Sequence, residues 1–74
     1  MSFDMTMEYI KTYKTEGNPD KVFELTVAAF KKAINTAQLG RCYRDLGYAF
    51  EKKKQYPEAA ACYIAGAVLV LYTN

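Results

Sequence analysis

Apolar residues recur along this chain at three- and four-residue intervals, and the recurrence is broken three times. The first set is Phe3, Met7, Ile10 and Tyr13. After Gly17-Asn18-Pro19 the set is Phe23, Val27, Phe30 and Ile34. After Asn35-Thr36 it is Leu39, Tyr43, Leu46 and Phe50, and after Gln55-Tyr56-Pro57 an almost wholly apolar stretch begins. This spacing places each set on one face of an α-helix, and no stretch alternates with the two-residue period of a strand. The pattern predicts helices over about 3–15, 19–34, 37–54 and 57–72.

The breaks carry helix-start chemistry. Asn18 is a good N-cap, Pro19 suits a first helical position and Asp20 places negative charge where the helix dipole favours it. Thr36 is read as the cap of the third helix. Pro57 and Glu58 open the fourth. Short connections make each helix antiparallel to its neighbour. The expected architecture is all-α: two stacked antiparallel helix-turn-helix hairpins in a single domain, 1–74.

The last stretch changes the picture. From Ala59 to Tyr72 there is no charged residue. The uncharged run is still shorter than the twenty or so residues that span a bilayer. It reads as a buried helix with an outer side left without cover, and Ile64, Val68, Leu71 and Tyr72 are the expected interface to a second chain or to further repeats.

Composition then removes chemistries. The 74 residues hold ten basic and eight acidic side chains, no His and no Trp. A net charge of +2 does not by itself point to nucleic acid or to an anionic membrane. Without an imidazole there is no Ser-His-Asp or Cys-His machine, and two cysteines fall short of a zinc site. Neither a metal nor a cofactor is expected, and the chain is not read as an enzyme. Cys42 and Cys62 have no disulfide framework and the first residues do not read as a secretory signal, so the expected compartment is the cytoplasm. Asp45, Glu51 and Glu58 are read as scattered surface carboxylates.

The third and fourth helices carry one spaced constellation. Tyr43, Leu46-Gly47 and Phe50 lie on the third, Tyr56 in the turn, and Ala59, Tyr63 and Gly66 on the fourth. A glycine inside a helix costs about 1 kcal/mol relative to Ala, so Gly47 implies a steric need. Residues 40–73 thus resemble a tetratricopeptide (TPR) repeat, a 34-residue helix-turn-helix with aromatic, Leu-Gly and aromatic positions on its first helix and Ala, aromatic and Ala on its second. Residues of about 7–39 resemble a degenerate copy, with Ile10 and Tyr13 on its first helix, Lys14 in place of the glycine, and Thr26, Phe30 and Ala33 on its second.

The resemblance implies a protein–protein interaction module that acts as an adaptor or scaffold. Its partner, a protein or peptide segment, would lie in the groove of the first helices. By position that groove would be lined by Arg41, Arg44, Tyr48, Glu51 and Lys52, with Lys11 and Thr15 from the first copy. The arginines suit a carboxylate ligand. Tyr48 stands where the family's chaperone-tail clamp has Asn, and Asp45 would repel a carboxylate, so a chaperone tail is not the implied ligand. The alternative is a self-associating helical unit with no peptide ligand.

Overall fold

The computed structural model describes residues 1–73, and side-chain burial through residue 72; Asn74 lies outside the described residues. Four α-helices follow one another: α1 (Phe3–Glu16), α2 (Pro19–Phe30), α3 (Thr36–Lys52) and α4 (Tyr56–Thr73). No strand occurs among the described residues. Each helix packs chiefly on the one before it and the one after it. The molecule is a slab of 32 × 30 × 17 Å, and its short dimension is less than two helix diameters.

Caps fix the helix starts. Ser2 Oγ accepts from the Met5 amide at 3.2 Å, and Asn18 Oδ1 accepts from the Lys21 amide at 3.2 Å. Pro19 occupies the first turn of α2 as expected. The cap of α3 is Asn35 rather than Thr36. Its Oδ1 accepts from the Gln38 amide at 2.8 Å, while Gln38 Oε1 accepts from the Ile34 amide at 2.8 Å. Side chains and backbone thus satisfy each other's orphan groups in the manner of a capping box. This reciprocal cap also corrects the end of α2. The helix stops at Phe30, four residues before Ile34, because the chain must leave it to reach the cap. Ile34 is left 85% exposed.

The buried face of α2 is one residue out of step with the Phe23–Val27–Phe30 stripe. Val22, Thr26 and Ala29 are fully buried, and Val27 is 42% exposed. The reason is crowding: α2 has α1 on one side and α3 on the other, and small side chains let both approach. The large rings flank that contact. Phe23 meets Phe50 edge-to-face at 5.7 Å, and Phe30 meets Tyr43 at 4.9 Å. The main core joins Phe3, Met7 and Ile10 to Val22, Ala29, Cys42 and Ala49.

Both hairpins turn in the same way. Gly17 and Lys54 each adopt the left-handed conformation, with φ of 71° and 63°. The Gly17 and Asn18 amides donate to the carbonyls of Lys14 and Tyr13; the Lys54 and Gln55 amides donate to those of Glu51 and Phe50. This paired closure is a Schellman motif. All four matched pairs are 37 positions apart (17 and 54, for example). The starts of α2 and α4 agree, at 19 and 56. The two hairpins are therefore related by 37 residues, not by the 33 that the resemblance implied. In the true register Ile10, not Lys14, is the counterpart of Gly47, and Val22, not Thr26, is the counterpart of Ala59.

Candidate interaction cleft

α1 and α3 lie side by side and leave a cleft of about 270 Å³ between them. From α1 come Met7, Glu8, Ile10, Lys11 and Lys14; from α3 come Arg41, Arg44 and Asp45. The spacing of Arg41, Arg44, Tyr48 and Lys52 sets them along one strip of α3. Three of the seven expected groove residues, Lys11, Arg41 and Arg44, line the cleft. Tyr48 and Lys52 continue it past Lys14. Glu51 is not brought in: it faces α4, where its Oε1 accepts from the Tyr63 hydroxyl at 2.7 Å. Thr15 donates to its own helix, to the Lys11 carbonyl.

Asp45 corrects the reading of a surface carboxylate. Its side chain is only 8% exposed and pairs with Lys14 Nζ at 2.6 Å. A buried carboxylate costs free energy unless it is matched, and here the match comes from the neighbouring hairpin. Lys14 anchors more than Asp45. Its carbonyl accepts from the Tyr48 hydroxyl at 3.1 Å, and its ammonium lies 5.0 Å from the Tyr48 ring centre. The Lys52 ammonium stands 5.6 Å from the same centre. Tyr48 thus has two cations near its ring, and its hydroxyl is tied to α1. Arg41 covers the Phe3 ring at 5.5 Å.

The charges of the cleft do not cancel. Lys14 and Asp45 neutralise each other. Lys11, Arg41 and Arg44, all exposed, then stand against Glu8 alone. No group of three or more His, Cys, Asp or Glu that could hold a metal is found among the described residues.

No family model, no curated protein and no solved structure matches this chain.

A second cleft, of about 280 Å³, runs between α3 and α4. Ala37, Gly40, Tyr63, Gly66, Ala67 and Val70 line it, and Arg41 and Arg44 form its rim. Gly40 and Gly66 mark a close approach of the two helix backbones in it. A Cβ on Gly66 would stand 3.2 Å from the Gly40 carbonyl oxygen. On the outer side of α4, Ile64, Val68, Leu71 and Tyr72 are 64, 45, 75 and 79% exposed. None of the described helices is long and apolar enough to cross a membrane.

The two thiols are buried and free. Burial, then the nearby Asp45 charge, pushes Cys42 up from 9.0 to about 11, with Arg41 opposing. Burial, followed by the hydrogen bond to Glu51, likewise pushes Tyr63 up from 10.0 to about 12. In both cases the folded state favours the neutral form. The stability that comes from Cys42 is complete below pH 9 and is lost as pH rises through about 11. For Tyr63 the corresponding window is pH 10 to about 12. At neutral pH Cys42 should react with a disulfide reagent only as fast as the chain opens. Rapid reaction of both thiols in the native chain would contradict this burial.

Proposed function

We propose that this chain is a non-catalytic protein-interaction module of TPR type, an adaptor that holds an acidic segment of a partner protein in the cleft between α1 and α3. The observation that carries the reading is the convergence of Lys11, Arg41 and Arg44 on one cleft beside Tyr48, whose hydroxyl is bonded to α1. Arginine offers a planar fork to a carboxylate, and a fixed aromatic ring offers contact area at little entropic cost. Two free thiols without a disulfide framework support a reducing compartment, the cytoplasm.

Peptides selected on the immobilised chain from a random library are expected to be enriched in Asp and Glu. Their binding should weaken as salt rises, because the cations are exposed. Arg44→Glu should lower affinity at least about tenfold, the equivalent of one charge-assisted contact, with unchanged helical circular dichroism. Selected peptides without acidic bias, or equal binding by the variant, would remove this reading. The uncovered side of α4 favours a second one, a self-associating helical unit.

A further inference from the structure

The 37-residue relation between the hairpins shows what each open surface corresponds to. On the first hairpin, the face formed by Met7, Thr26, Phe30 and Ala33 is where α3 packs. Met7 is 7% exposed and Thr26 fully buried, and Phe30 meets Tyr43 of α3 edge-to-face. Their counterparts on the second hairpin are Arg44, Tyr63, Ala67 and Val70. All four are exposed, and all four line the α3–α4 cleft. That cleft corresponds to the seat α3 takes on the first hairpin, and no helix among the described residues occupies it.

The same relation shows which surface fits it. α3 turns Cys42, Asp45 and Ala49 toward the first hairpin, all of them buried. Their counterparts on α1 are Met5, Glu8 and Thr12, all exposed. Met1, Met5 and Tyr9 add apolar surface, at 56, 54 and 49% exposure.

We propose that copies of this chain stack head to tail, α1 of one copy entering the α3–α4 cleft of another as α3 packs on the first hairpin within the chain. Charge supports the pairing. Asp4 and Glu8 border the entering face of α1, and Arg41 and Arg44 are the rim of the cleft. Glu51 stands at the counterpart of Lys14, so the entering Glu8 has a carboxylate rather than an ammonium opposite it, and the Tyr63 hydroxyl that donates to Glu51 leaves that charge in place. Arg44 is the cation left to meet the entering acids. The outer stripe of α4 is a different surface: Ile64 and Leu71 correspond to Val27 and Ile34, which are exposed on the first hairpin as well. The contact is heterologous, so a pair of copies still presents one free seat and one free α1. The contact shares Arg41, Arg44 and Glu8 with the peptide-binding reading, but Met5 and Ala67 do not line the α1–α3 cleft, so Met5→Glu and Ala67→Glu test this inference alone.

Sedimentation of the full chain across rising concentration tests it. The mass should increase without a plateau at the dimer. Met5→Glu and Ala67→Glu, each at an exposed helical position, should each give monomers with unchanged circular dichroism. An equimolar mixture of the two should form a dimer and stop there, because one intact α1 meets one intact seat. Tyr9→Lys and Val70→Asp form a second pair with the same expectation. A native chain that stays monomeric would overturn the proposal. So would a dimer abolished by Ile64→Glu but indifferent to Ala67→Glu, or two monomeric variants that fail to combine.

Discussion

Gly47→Leu is expected to lower the urea midpoint by an amount equivalent to roughly 1–3 kcal/mol. A Cβ on Gly47 would stand 2.7 Å from Cε1 and 2.9 Å from Cδ1 of Tyr63. The ring can retreat only by giving up its hydroxyl's bond to Glu51, at 2.7 Å. Larger side chains must therefore break that bond or separate α3 from α4. A domain of this size has about 4–11 kcal/mol in hand altogether at the usual stability per residue, so the loss is a large share. Gly40→Ala is the control. Its Cβ would meet the Gly66 carbonyl oxygen at 3.5 Å, an ordinary contact, while helix propensity improves by about 1 kcal/mol. It should be neutral or stabilising. Equal midpoints for wild type and Gly47→Leu would show that Tyr63 does not seat on Gly47.

Lys14→Met should destabilise the fold by about 2 kcal/mol, the range expected when a buried charge loses its hydrogen-bonded partner. Asp45 is left behind with its side chain 8% exposed and no cation in place of Lys14. Because Lys14 itself is 31% exposed, the loss should fall short of that for a fully enclosed pair. Lys14→Met combined with Asp45→Leu should recover most of it, since apolar residues of similar volume do not need the match. A double-variant cycle that shows no coupling between the two positions would contradict this account. The exposed pair Lys21–Glu24, at 3.5 Å, should by contrast contribute little.

The four helices were legible because their information is local. Periodic apolar positions, Asn18-Pro19 and Pro57 act within one or two turns, and the all-α hairpin architecture followed from them. The end of α2 was misread because Ile34 extends the apolar period, while Asn35 and Gln38 three residues on spell a cap that outranks it. The α2 stripe was misread for another reason. Burial at a three-helix contact selects small residues, so Thr26 and Ala29 lie inside while Phe23 and Phe30 sit at the margin. In the cleft, Arg41 and Arg44 were placed by their positions in the repeat that residues 40–73 resemble. The Lys14–Asp45 pair was not, because it joins positions 31 residues apart and nothing in either local sequence marks it. Glu51 was misplaced because its orientation depends on Tyr63, a residue of the other helix.

The order of packing, each helix on its neighbours in the chain, bears on how the fold is reached. Contacts that are close in sequence ask for little loop closure before they form, and helical domains with such contacts fold in microseconds to milliseconds. They also open piecemeal. α4 is fastened mainly to α3, so it can detach while the core of α1, α2 and α3 persists, and its amides should lose hydrogen-exchange protection before those around Val22 and Cys42. The helix that is richest in apolar side chains is thus the one most readily released, and a brief, partial opening exposes it without unfolding the rest.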